Sequence, residues 1–202
     1  MISGVHADAF AEAQGVHLGL TARKAVMHDI PLILDLINGY AATGVMLART
    51  EFELSEAIRD FSVVMQGDTL LGCGALHFYT PTIGEIRSLA VDQKAKTKGV
   101  GRILVEALVQ EAFVYELDTV FAFTYVVEFF NKVGFHVVER GALPLKAWKD
   151  CVRCPKFQAC DEVAVLRRLR PEHSPESQPL FRIDSIPSPD DQLIQIPIPR
   201  HP

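Results

Sequence analysis

The chain has no run of eighteen or more apolar residues, no excess of positive charge and no cysteine arrangement that suggests a disulfide framework. The first absence removes a transmembrane helix, which needs about 20 consecutive apolar residues. The second, a net charge of −5 and a pI near 5.8, argues against general nucleic-acid binding, for which a basic face is expected. The third rests on cysteines placed unevenly at 73, 151, 154 and 160 in a chain that is 49% hydrophobic and can build its own core. Residues Met1–Gly19 carry histidine and acidic side chains rather than a basic stretch followed by an apolar block, so no export signal is expected. These absences together imply a cytoplasmic protein with reduced thiols, no nucleic-acid partner and no membrane partner. Two phosphate loops are also missing. No Gly-Lys-Ser/Thr ending is present, and Gly99-Val100-Gly101 lacks the third glycine of a dinucleotide fingerprint.

What the chain does have is one organising stretch, from Glu85 to Leu104. Ile86, Leu89, Ala90 and Val91 read as a short strand, a lysine-rich loop follows, and a helix begins at the glycines. Val100, Ile103, Leu104, Ala107 and Leu108 recur at helical spacing and give that helix one apolar stripe ending near Ala112. Gly99 and Gly101 allow close approach to the backbone, and the free N–H groups of a helix's first turn attract an anion. Lys94, Lys96, Lys98 and Arg102 crowd that point in a chain that is acidic overall. A bound polyphosphate accounts for the local excess; a tight turn with solvated lysines is the plainer alternative.

The rest of the chain alternates between periods. Leu20–Val26 reads as a strand, and a helix with Asp29 as N-cap and Pro31 in its first turn reaches Tyr40. A second helix, capped by Thr50 or Ser55, runs to about Asp60. Phe61–Met65 and Leu70–Tyr79 form a hairpin across Gly67-Asp68, with Gly72 and Gly74 marking a bulge or close approach. Thr119–Thr124 is a buried strand, Val126–Val133 a short helix, Phe135–Glu139 a strand, and Val163–Leu169 a final strand or short helix. The order gives a mixed α/β domain with local hairpins and one crossover through the glycine loop.

Lys96-Thr97-Lys98-Gly99-Val100-Gly101 resembles the acetyl-CoA motif Arg/Gln-x-x-Gly-x-Gly/Ala of the GNAT superfamily of N-acetyltransferases, with lysine for its first residue. The likeness covers roughly residues 20–140. It implies a mostly antiparallel mixed sheet whose central strands splay apart, flanked by helices, in a domain spanning 20–169. Residues 1–19 are then a mobile lead-in, and the proline-interrupted segment 170–202 reads as a disordered tail. By the same resemblance Leu89, Ala90 and Val91 line the thioester of acetyl-CoA, the co-substrate, and Lys96, Lys98, Gly99, Val100, Gly101 and Arg102 hold its pyrophosphate.

Within the superfamily the chain is similar to short bacterial enzymes that acetylate glutamate for arginine synthesis. The likeness is carried by Gly44 to Thr50, Gly72 to His77, Glu85 to Val91, Phe123-Thr124-Tyr125 with Phe129-Phe130, and Trp148 to Cys151. It implies the α-amine of glutamate, or of glutamine, as acceptor. Guanidinium groups bind carboxylates bidentately, so Arg49 and Arg87 are the candidates for holding the acceptor, with Thr124 on the second splayed strand. A strand ion pair for Arg87 and an exposed loop position for Arg49 are the bland alternatives. An amino acid is mostly ammonium at neutral pH, so a base must act first; Glu85 stands where many GNAT enzymes place it. Phe130 stands where many have a tyrosine acid, which leaves Tyr125 as the nearest phenol. His77 is read as a packed or hydrogen-bonded strand residue.

Cys151-x-x-Cys154-x5-Cys160 supplies three thiols where structural zinc wants four ligands. Asp150, Asp161 or a distant histidine is needed to complete a metal site, so the segment 148–161 is read as a reduced loop packed by Trp148 and Phe157. A homodimer is compatible with the sequence. The rival readings keep the fold and change the acceptor to another small amine or a protein amine, or make the chain a non-catalytic acyl-CoA-binding module.

Overall fold

Pro31, already locked near helical φ, opens helix α1 (Ile30–Ala41) immediately after the short strand β1 (Ala22–Lys24). The computed structural model describes residues 19–143, 154, 156 and 159–170, so the expectations for 1–18, for most of the cysteine loop and for the proline-rich tail lie outside the described residues. Asp29 occupies the N-cap position but makes no cap hydrogen bond. Its carboxylate instead accepts two bonds from Arg23, at 2.7 and 2.9 Å, and one from the Val26 N–H at 2.8 Å. The helix start is thereby tied to β1. Helix α2 (Glu51–Ala57) opens with Thr50, whose Oγ1 accepts from the Glu53 N–H at 3.2 Å, while the Glu53 carboxylate accepts from the Thr50 N–H at 2.9 Å.

Strands β2 (Phe61–Gln66) and β3 (Thr69–Phe78) form the expected hairpin, turned by Gly67 at φ +58°. Next come β4 (Ile83–Val91), α3 (Val100–Val114), β5 (Thr119–Thr124), α4 (Val127–Lys132), β6 (His136–Val137) and β7 (Val163–Arg168). The strands form one mixed sheet in the order β1-β2-β3-β4-β5-β7-β6, antiparallel except where the α3 crossover makes β4 and β5 parallel. The last strand in sequence is thus interior, between β5 and β6. Strand β6 keeps only two of the five residues expected, since Phe135 turns into the core, 4% exposed, against Phe130.

Two helical layers bury the sheet. Val105, Leu108 and Val109 of α3 pack on Leu76, Ile86, Val120 and Ala122, whereas Ile33 and Ile37 of α1 pack on Val63, Cys73, Ala75 and Ala90 of the opposite face. Each such fully buried side chain contributes roughly 1.5–3 kcal/mol of transfer free energy. The α3 stripe is broader than its 3.6-residue pattern suggested: Val105 and Val109 are buried, and Ile103 and Ala107 are only half-buried.

Strand β4 departs from regular pairing on both of its edges. Its pairing with β5 covers only Ile83–Glu85 against Thr119–Phe121, so from Ile86 onward the strands part. Against β3, the register passes from Ala75↔Arg87 to Cys73↔Ala90, leaving Ser88 and Leu89 opposite the single residue Gly74. This bulge puts Ser88 at φ +52°, a left-handed conformation that strains a residue with a Cβ by about 1–3 kcal/mol. Gly72 faces the bulged strand because nothing larger fits: a Cβ there would meet the Ala90 carbonyl oxygen at 2.9 Å, and one on Gly74 would crowd the Leu89 and Leu108 side chains at 3.1 and 3.2 Å.

Candidate active site

Where β4 and β5 part, a cleft of about 1080 Å³ opens between the α1–α2 connection on one side and residues of the β6–β7 region on the other. Glu85 sits on its floor at the last paired position of β4 and is 8% exposed. Its Oε2 accepts a hydrogen bond from the Tyr79 hydroxyl at 2.9 Å. Alternate strand residues share a face, so Arg87 rises beside Glu85, and its guanidinium stands 4.0 Å from Asp60 in a loose ion pair. Asp60 in turn holds His77 Nδ1 at 2.8 Å; His77 is the hydrogen-bonded strand residue expected.

Arg49 reaches the same cleft from the segment before α2. The Asn38 side chain fixes that segment from α1, accepting from the Arg49 N–H at 2.9 Å and donating to its carbonyl at 3.0 Å. Arg49 and Arg87 also line a second cleft of about 700 Å³, shared with Asp60, His77 and Tyr79.

The opposite wall is built differently. Thr124 at the end of β5 is buried, and its hydroxyl accepts from the Val126 N–H at 2.9 Å, a turn-forming bond that uses a lone pair and not the O–H. Tyr125 follows, 40% exposed. Its hydroxyl donates to Asp161 at 2.9 Å and accepts from Lys156 at 3.1 Å, and the same ammonium lies 4.9 Å from the ring centroid. Partial burial raises the phenol above its ordinary value, against the pull of Lys156, so it carries its proton at neutral pH. Phe130 packs edge-on between Phe129 and Phe135 at 5.4 and 5.1 Å. Arg140 donates to the Cys160 sulfur at 3.1 Å and to the Glu162 carbonyl, with its guanidinium 5.8 Å over the Phe123 ring. Burial raises the Glu162 carboxyl. Among the described residues no group of three His, Cys, Asp or Glu side chains is placed to hold a metal, and Cys151 lies outside them.

The glycine loop lies at the far end of β4. Gln93–Lys98 forms a 3-10 turn, and Gly99 at φ +75° leads into α3. The cations have local partners of modest strength: Lys98 with Gln66 at 3.3 Å, Arg102 with Glu106 at 3.3 Å, and Lys96 5.7 Å from the Tyr40 ring centroid. Val100 is fully buried, so it offers only backbone. Gly101 has a second reason to be glycine, because a Cβ there would meet the Phe129 ring at 3.2 Å. Of the residues expected at the thioester, Leu89 lines the cleft; Ala90 turns its side chain into the α1 layer.

A parted strand pair beside a cationic helix start is the arrangement expected of the acyl-CoA-dependent acetyltransferases that the sequence resembles. A profile of the Acetyltransferase (GNAT) family matches residues 39–135. An uncharacterized N-acetyltransferase of Chlorobaculum tepidum is 41% identical over 73% of the chain and 95% of its own length, and an amino-acid acetyltransferase of Mycobacterium tuberculosis is 37% identical over 65% and 76%. Among solved structures, a Mycobacterium tuberculosis protein in complex with CoA and NLQ superposes with a TM-score of 0.64 at 29% identity, over 74% of this chain and 99% of that one. N-acetylglutamate synthase of Neisseria gonorrhoeae, complexed with coenzyme A and N-acetyl-glutamate, gives 0.70 at 28% identity over 77% of this chain and 36% of the longer protein. The chain belongs to the GNAT acetyltransferase family. It is an acyltransferase, and acetyl-CoA is its co-substrate.

Several groups at this site had no individual sequence signal. Tyr79 meets Glu85 through the β3–β4 register, where His77 faces Glu85, and Asp60 reaches Arg87 because Phe61 pairs with Ala75 and Ala75 with Arg87. Hairpin spacing was the one available clue, since Tyr79 and Glu85 flank the same turn. Arg140, Lys156, Asp161 and Glu162 come from segments brought alongside β5 by the insertion of β7, which no local pattern announced.

Proposed function

We propose that this enzyme acetylates the α-amine of glutamate, with glutamine as the closest alternative, in the first step of arginine synthesis. The observation that carries the reading is the cationic lining of the cleft that contains Glu85: Arg49 and Arg87 on one side, Arg140 and Lys156 on the other. An acceptor with two carboxylates satisfies such a set, and a polyamine does not. Relatives named amino-acid acetyltransferase and a structural neighbour complexed with N-acetyl-glutamate support the same acceptor class.

In this reading the pyrophosphate of acetyl-CoA is held by Lys96, Lys98, Arg102 and the backbone of Gly99, Val100 and Gly101, where the helix start favours an anion. The thioester lies along Leu89, Ala90 and Val91, on the stretch of β4 that β5 leaves unpaired. Arg49 and Arg87 hold the acceptor carboxylates, and Thr124 shapes the turn that ends the opposite wall. Glu85 removes a proton from the ammonium, the freed amine attacks the thioester carbonyl, and the tetrahedral intermediate collapses with departure of the thiolate. Tyr125 supplies a proton to that sulfur.

The test is thiol release from acetyl-CoA with glutamate, glutamine, aspartate, lysine and spermidine as separate acceptors. Turnover confined to glutamate or glutamine is expected. Turnover with lysine or spermidine would discard the acceptor.

A further inference from the structure

Glu85 takes a proton once per turnover and must lose it before the next, yet it is 8% exposed and lines the cleft in which acceptor and thioester meet. The proton therefore needs a way out that the substrates do not block. On the other side of the carboxylate the Tyr79 hydroxyl donates to Oε2 at 2.9 Å. Tyr79 also lines the second cleft, of about 700 Å³, together with His77 and Asp60. Its ring is held edge-on by His77 at 5.1 Å and tilted against Phe121 at 5.7 Å, and His77 is itself fixed by Asp60 at 2.8 Å. A tyrosine whose hydroxyl bonds a buried carboxylate and which also lines a second cleft connects the two.

We infer that Tyr79 is a positioning and proton-passing residue, and that the second cleft is the route by which Glu85 returns its proton to solvent. This rests on Glu85 as the base. After the ammonium has given up its proton, the Glu85 O–H bond breaks as the phenol oxygen accepts. The phenol's original O–H bond breaks in the same event, and that proton passes to water in the second cleft. Tyr79 stays neutral throughout, Glu85 is again a carboxylate, and no electrons are exchanged. The hydroxyl turns from Oε2 toward that water before the hop, and afterwards the proton it has received already points at Oε2, which resets the pair. The overall reaction releases one proton for each amide and thiol formed, which this route carries away.

The experiment compares wild type, Glu85→Gln and Tyr79→Phe in dilute and in concentrated imidazole at fixed ionic strength. Tyr79→Phe keeps the ring and its packing, so folding is preserved. It should lower kcat about tenfold in dilute buffer, less than the roughly 10²–10⁴-fold of a lost general base, with both KM values unchanged. Concentrated imidazole, a small proton carrier, should restore most of that loss and should not rescue Glu85→Gln. Wild-type turnover by Tyr79→Phe, or a loss that imidazole does not reverse, would overturn the exit while leaving the base in place. Full activity in Glu85→Gln would remove the base and the exit together.

Discussion

The two walls of the active cleft are held in opposite ways. On the β4 wall the polar groups are shielded and bonded across the sheet: Glu85 to Tyr79, Arg87 toward Asp60, and Asp60 to His77. On the β5 wall Tyr125 stands at the surface, gripped by two exposed side chains, Asp161 and Lys156. Fixed geometry is what a reacting base and a carboxylate clamp need, because positioning contributes directly to the barrier. A proton donor to a thiolate needs less, since a thiol is acidic enough to leave largely unaided. In the proposed mechanism the demanding tasks fall to the sheet and the lenient one to the loop.

That contrast is open to attack. Glu85→Gln should produce the largest effect, a fall in kcat of about 10²–10⁴-fold with acetyl-CoA binding retained; steady-state kinetics alongside calorimetric titration of CoA checks it. Arg87→Ala should come next. A lost charge-assisted hydrogen bond of about 1.5–3 kcal/mol corresponds to a rise in KM for glutamate of roughly 10–150-fold at 1.4 kcal/mol per decade. A neutral acceptor should be hardly affected, and an equal rise for both would break the clamp assignment. Tyr125→Phe should cost kcat about tenfold or less, given a thiol pKa near 8.5; a loss matching that of Glu85→Gln would erase the distinction between the walls.

Asp29→Asn, remote from both walls, should leave turnover unchanged and act on stability alone. The hydrogen bonds from Arg23 hold the Asp29 carboxyl below its usual value despite burial. Its folded value therefore lies under its unfolded one, near 3.9, and the stabilisation is present above that range and lost as pH falls through the folded value. Thermal unfolding should show a deficit of about 2 kcal/mol at neutral pH that fades in strong acid.

How much of this was legible in the sequence differs between the same two walls. Lys96 to Gly101 and the stripe after it marked the loop and the start of α3, because a glycine turn into a helix is a local matter encoded in adjacent residues. Glu85 and Arg87 were legible by likeness and by their spacing on one strand. Asp60 and Tyr79 were not, because a register between strands brings them in, and a register is settled by the whole hydrophobic pattern rather than by either partner. Arg140, Lys156 and Asp161 were further out of reach, since β7 inserts between β5 and β6. The width of the α3 stripe was misjudged for a related reason: a helix lying on a twisted sheet buries more of its circumference than a narrow stripe suggests, and Val105 and Val109 fill the difference.

The contact between Gly101 and the Phe129 ring ties two ends of the molecule into one letter of the sequence. In the proposed reading position 101 answers at once to the anion at the α3 start and to the Phe129 ring of α4, so a single replacement there disturbs both and cannot say which failed. A compensating pair can. Trimming Phe129 to leucine makes room for a methyl at 101 and restores the packing, and whatever deficit in CoA affinity persists in the double variant belongs to the phosphate alone. The glycine is doubly determined, and only its neighbour can separate the two constraints.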